Sequence, residues 1–348
     1  MSVNSYLEWH GSEWRRLFDT PAGPPHAVLL AGPAGVGKSL FGMAMAQRLL
    51  CEAPRQVAEP ACGECTSCRL FSSGNHPDFR HVIPEADAVE AEAEASDTAE
   101  KKKASAQILI GQIRALEDFV NIGGHRSSRR VILIEPAEAM NIAAENALLK
   151  SLEEPPSGVC FVLVSNRWRK LLPTIRSRCR TVMFGRPEME AAKRWLAGQG
   201  GEKALALLAL TGGAPIRALE EFEKGRVEAY NDVTATLLDS QGDFLTLAAR
   251  LETHVKKDGG LKMEEVVATI QAVLYDLAFL GMTGKARFLA GRERQAEPIA
   301  RQADLGSLLG YYGELLKGRA LASHPLNPRL FLDDIAARYL RAIAPARP

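Results

Sequence analysis

Gly32-Pro33-Ala34-Gly35-Val36-Gly37-Lys38-Ser39 decides the fold, because it meets the phosphate-loop spacing G-x-x-x-x-G-K-[ST] at every fixed position. Its flanks agree: His26-Ala27-Val28-Leu29-Leu30-Ala31 reads as a short buried strand, and Leu40 to Leu50 as a helix. Gly32, Gly35 and Gly37 let backbone N–H groups turn toward phosphate oxygens, and the helix that follows presents its positive end to the same anion. In such a loop Lys38 reaches the β- and γ-phosphates and Ser39 ligates Mg²⁺, so ATP or ADP with Mg²⁺ is the expected ligand. The alternative is a glycine-rich strand-to-helix turn that binds nothing.

Working outward, the chain has 348 residues, enough for two or three domains. Its 43 basic and 42 acidic residues give a net charge of +1, so any contact with nucleic acid would need a local patch. Met1 to Trp14 carries acids, His10 and two tryptophans instead of a basic region followed by an apolar run, and no stretch approaches a membrane span. The expectation is a cytoplasmic protein without a membrane partner.

After the loop helix, Cys51, Cys62, Cys65 and Cys68 crowd into one excursion. Four thiolates at this spacing suit one structural Zn²⁺ with a closed tetrahedral shell that staples a small insertion. Unligated thiols or a redox C-x-x-C pair are the alternatives, and the triple run argues against the pair. Cys160 and Cys179 lie far from this group and receive no metal. Asn75-His76-Pro77-Asp78 reads as a turn before a second strand, with His76 a turn residue. Residues 84–105, rich in acids and alanine with a Lys101-Lys102-Lys103 run, are expected to form a disordered surface loop. A helical pattern resumes over 108–120, and Gly123-Gly124 marks its end.

The second landmark is the apolar strand from Arg129 to Ile134 that ends in Glu135. A carboxylate there is where phosphate-loop proteins hold Mg²⁺, and Glu135 reaches the ion through water; a capping acid on a core strand is the alternative. The next position, where an ATPase of the associated-activities class places the acid that polarises the attacking water, is Pro136. Glu138 stands two residues too far on to replace it. Met140, Ala144, Leu148 and Leu152 recur every four residues and predict a helix over 141–153 with one apolar stripe, stopped by Pro155-Pro156. Further strands are expected over 161–165 and 181–184. Between them Arg176, Arg178 and Arg180 form either a solvated face or part of a working loop beside a strand end. Beyond Pro187 the pattern is helical, with pieces over 189–196 and 202–210, a glycine break at Gly212-Gly213, and apolar stripes such as Val266, Ile270, Val273, Leu274 and Leu277.

Taken together, the phosphate loop followed by a Cys₄ insertion, Asn146-Ala147-Leu148-Leu149-Lys150-Ser151-Leu152-Glu153-Glu154-Pro155-Pro156, Ser177-Arg178-Cys179 and a helical C-terminal third resemble the delta-prime family of the bacterial DNA polymerase III clamp loader. The resemblance is strongest over 25–187; in the C-terminal third His324-Pro325-Leu326-Asn327-Pro328-Arg329 is also similar. It implies an α/β AAA+-type P-loop domain with a parallel sheet over 1–186, containing the 51–68 zinc insertion, then a helical lid over 187–225 and a helical collar over 226–348. It further implies a hetero-pentameric ring with tau/gamma and delta subunits that loads the beta sliding clamp on primed DNA. In that ring Arg178 would be an arginine finger given to a neighbour's ATP, and Arg217 would fall near the second sensor position of its own site. Two other classes compete: a motor subunit like tau/gamma, disfavoured by Pro136, and a zinc-dependent DNA-binding protein. The second lacks support between Cys51 and Cys68, where only Arg55 is basic and nothing is aromatic.

Overall fold

The structure, a computed structural model, describes the chain except residues 1–5, 21–22, 54–57, 90–104, 122–126, 128, 240–242, 257–259, 290, 323–326 and 346–348. It divides into two compact units, 1–187 and 188–348.

The first unit is a five-stranded, all-parallel sheet of order β2-β3-β4-β1-β5. The strands are β1 (Ala27–Ala31), β2 (Phe79–Val82), β3 (Arg130–Ile134), β4 (Val159–Ser165) and β5 (Arg180–Met183). The three central strands are buried along their whole length, as expected when helices cover both faces. One face packs on α1 (Gly11–Phe18) and α2 (Lys38–Leu50), with Trp14, Phe41 and Met45 wholly buried. The other packs on α5 (Ile110–Asn121), α6 (Ile142–Glu153) and α7 (Pro173–Arg178) through Ile113, Leu148 and Ile175. This is the parallel α/β phosphate-loop class expected from the sequence. Gly32 leaves no room for a side chain: a Cβ there would stand 2.3 Å from the Phe184 carbonyl oxygen.

Between α2 and β2 lies α3 (Thr66–Ser72), capped at its start by the Cys65 sulfur, which accepts the Cys68 N–H. His76 is buried within the turn, as expected of a turn residue. It accepts the Asp78 N–H at Nδ1, and its Nε2 shares a 2.6 Å hydrogen bond with Ser67 on α3. The expectation of a disordered loop over 84–105 is corrected at its start, while residues 90–104 lie outside the described residues. A short helix, α4, occupies 85–89, because the Pro84 carbonyl accepts the Asp87 and Ala88 N–H groups while Glu85 and Asp87 favour a helix start. The Ala86 N–H donates to the Ser105 carbonyl and so ties the two ends of this segment. The lysine run and Gly123-Gly124 lie outside the described residues.

The second unit is helical: α8 (Met189–Leu210), α9 (Pro215–Glu223), α10 (Val227–Leu238), α11 (Phe244–Lys256), α12 (Met263–Thr283), α13 (Glu293–Gln302), α14 (Leu305–Ala322) and α15 (Pro328–Ile343). The two helical pieces expected before Leu210 are both present in α8, where Gly201 breaks the helix with φ 62° and ψ −157°, a conformation only glycine adopts easily. Arg226 links the segments assigned to lid and collar: its guanidinium lies 2.7 Å from Glu221 and 3.0 Å from Glu265, all three residues being buried. Helix α12 is long and apolar enough to cross a membrane by length and composition, but two thirds of it is buried within this unit.

Asp276, wholly buried on α12, accepts the N–H groups of Arg287, Phe288 and Leu289 at one carboxylate oxygen and so fixes the connection to α13. Replacing it with alanine orphans three backbone donors in the interior, an expected loss of about 3 kcal/mol in urea unfolding. Asp276→Asn keeps an acceptor and is expected to lose less. Equal stability of the alanine variant and the wild type would contradict this role.

Candidate functional site

The loop between β1 and α2 folds as its spacing predicts, with Gly35 and Gly37 at φ 74° and 99°. Lys38 opens α2 and is 3% exposed; its ammonium donates to the Pro33 carbonyl at 2.6 Å and to Asn166 Oδ1 at 2.7 Å. Burial pulls its pKa down to about 8, against the pull of Glu135 and Glu138. Ser39 Oγ hydrogen-bonds to Glu135, whose other oxygen lies 3.8 Å from His81 Nε2. The structure therefore brings Lys38, Ser39 and Glu135 together, the residue set that can hold a triphosphate and Mg²⁺. Glu138 is not poised to polarise water, because its carboxylate accepts the backbone N–H groups of Asn166 and Arg167 at 3.0 and 3.1 Å.

Three residues of this site escaped the sequence reading. Asn166 follows β4 and holds the Lys38 ammonium, a role with no signal beyond a polar residue at a strand end. Trp9 donates its indole N–H to the Val36 carbonyl, and buried His10 packs edge-on against Phe41 and Phe184. Desolvation drives the His10 pKa down to about 4, so it is a neutral wall beside the loop at physiological pH.

Arg178 ends α7, where its guanidinium donates to the Thr174 carbonyl and pairs with Glu153 at 2.5 Å. Helix α7 is set by buried Glu145, which accepts the Leu172 N–H at 2.8 Å; burial pushes this carboxyl's pKa up and that bond opposes it. Arg178 and Arg180 stand at the amino end of β5, since Arg180 pairs with Val28 while the phosphate loop leaves β1 after Ala31, opposite Met183. Ligand-binding loops of parallel sheets sit at the carboxyl ends, and Arg178 and Arg180 lie at the opposite end of the sheet from this chain's own phosphate loop. Arg180 itself is turned to the Arg16 carbonyl. Arg217 lies in the first turn of α9 in the second unit, half-buried.

The four cysteines of the insertion converge, with all four sulfurs within 4.8 Å of one another. Cys51 and Cys62 sulfurs are 3.6 Å apart, and those of Cys62 and Cys68 3.8 Å. A tetrahedron of sulfurs about 2.3 Å from zinc has edges of about 3.8 Å, so the set fits the ion. Backbone N–H groups of Cys65 and Cys68 point at the sulfurs of Cys62 and Cys65, at 3.3 and 3.4 Å, as suits anionic ligands. Cys160 and Cys179 are buried thiols whose pKa values desolvation raises to about 12.

With this geometry established, comparison with known proteins gives one consistent result. The family described as "DNA polymerase III, delta subunit" matches residues 22–188. The DNA polymerase III subunit delta' of Pseudomonas aeruginosa is 40% identical over 60% of this chain, but the match spans only 59% of that protein's length. The subunit delta' of Yersinia pestis is 30% identical over 71% of each chain. The DNA polymerase III subunit tau of Salmonella typhimurium is 27% identical over 84% of this chain and 46% of its own.

Proposed function

Since the chain belongs to the DNA polymerase III subunit delta' family, we propose that it is a clamp-loader subunit whose contribution to ATP hydrolysis is made at a neighbour's site. It would take its place beside tau/gamma and delta subunits in a five-membered cytoplasmic ring that loads the beta sliding clamp on primed DNA. The AAA+-type domain spans 1–186, 187–225 serves as lid and 226–348 as collar.

The observation that carries this reading is the division of the first unit into two ends. At the carboxyl end of the sheet, Lys38, Ser39 and Glu135 form a phosphate and Mg²⁺ cradle, yet Pro136 has no acid and Glu138 is spent on backbone amides. At the amino end, on the order of 13 Å along the strand from the loop, Arg178 stands half-exposed and remote from its own cradle. A guanidinium there serves ATP only if another chain brings it, whereas a motor subunit also needs a water-polarising acid of its own. Mixing the purified chain with tau/gamma and delta tests the assembly. Co-elution as one complex is expected, and failure to join either partner would refute the reading.

The cradle yields a second expectation. Isolated protein should bind ATP or ADP weakly with Mg²⁺, in a manner abolished by Lys38→Ala, while its steady-state hydrolysis stays negligible. Because phosphate binding favours the charged ammonium, affinity should fall as pH rises past about 8, the value to which burial brings Lys38. Robust turnover lost in Lys38→Ala would contradict this assignment.

A further inference from the structure

Between Pro155 and Pro187 the chain carries seven arginines and lysines and no acid, although the whole protein has a net charge of only +1. Three of these cations are adjacent: Arg167, Arg169 and Lys170 surround Trp168 in a single-turn 3-10 helix (Trp168–Lys170) just beyond the carboxyl end of β4. All three are exposed, and among the described residues none pairs with a carboxylate. The acid at this turn, Glu138, is directed to the backbone N–H groups of Asn166 and Arg167 and not to their side chains.

Trp168 organises the charge. The Arg169 guanidinium lies 5.0 Å from its ring centre and that of Arg176, from α7, lies 5.4 Å away. Arg176 is half-buried and its Nε finds no acceptor. Guanidinium groups held on an indole are positioned without being neutralised. The tryptophan thus serves as a support for charge at this turn.

We propose that this turn is a phosphate-backbone contact for duplex nucleic acid, made by Arg167, Arg169, Lys170 and Arg176. The features fit that ligand class: exposed cations of one sign, two of the four held on Trp168, and a nearby acid, Glu138, that bonds to backbone amides and not to these side chains. The contact is sequence-independent and belongs to this chain alone, so it can be measured without the partners invoked above.

The test is binding of a fluorescent duplex DNA by the full-length isolated chain across 50–200 mM salt, for wild type and for Arg167→Ala/Arg169→Ala/Lys170→Ala. These side chains are exposed, so thermal melting should show the variant folded as wild type. Releasing three phosphate contacts should make the slope of log affinity against log salt shallower by about 2.7, and wild-type affinity should fall about 40-fold more than the variant's over this range. Arg169→Glu alone should weaken binding further than Arg169→Ala. Equal affinity and slope for wild type and triple variant, or no salt-dependent binding by wild type, would overturn the proposal. So would a variant that keeps DNA binding but loses co-elution with the other subunits, since the patch would then meet an acidic protein surface.

Discussion

Arg178→Ala is expected to leave the protein folded and assembled yet to lower DNA- and clamp-stimulated ATP hydrolysis by the complex. An arginine given in trans to a transferring phosphoryl group is worth about 10³–10⁵ in rate at the site it serves. A guanidinium stays charged at any working pH and presents a rigid fork of donors to oxygens that gain negative charge in the transition state. Lysine would be a poor substitute, because its point charge cannot reproduce that fork. Little stability should be lost, since Arg178 is half-exposed and its pairing with Glu153 is a surface contact worth at most about 1 kcal/mol. Arg180→Ala should do less to the rate, as this side chain already serves the Arg16 carbonyl. Arg176→Ala should also do less, because its guanidinium is held against Trp168.

The second large effect is expected at the cysteines. Protein purified without added zinc should carry about one equivalent, and Cys65→Ser should carry none. The insertion has little core of its own. Helix α3 is held by its Cys65 cap, by Ser67 bonded to the Leu50 carbonyl and by Phe71 packed near Phe79. Without the ion, four sulfurs that repel as thiolates or must take up protons replace a closed shell. Cys65→Ser should therefore lower thermal stability by several kcal/mol and open residues 51–68 to proteolysis, while the central strands survive. A metal-free wild type whose four thiols are all alkylated in the folded state would contradict a structural zinc.

How much of this was legible beforehand depends on how local each signal is. The phosphate loop, the apolar strands around it and the cysteine spacing are short-range patterns, and the structure places all of them as the sequence suggests. The two helical pieces of α8 were likewise readable from their apolar spacing, whereas the break between them falls at Gly201, a glycine the sequence reading did not single out. Contacts between distant segments were not readable. Asn166 meets Lys38 across 128 positions, and Asp276 caps a turn 11 to 13 residues on from within a stripe that looked like plain core. The direction of the arginine run was also hidden, since a linear sequence does not show which end of β5 faces the loop until the register with β1 is known. Helix α4 was missed because composition judged the whole acidic stretch at once, whereas Pro84 and two early acids start a helix on their own.

The most direct measurement is clamp loading by a reconstituted complex, read as beta clamp retained on primed DNA, with this chain omitted, intact, or carrying Lys38→Ala or Arg178→Ala. Loading should require the chain, persist with Lys38→Ala and fall sharply with Arg178→Ala. Loading that proceeds without the chain, or that fails with Lys38→Ala while Arg178→Ala is unaffected, would show that it is not a donor subunit of the loader.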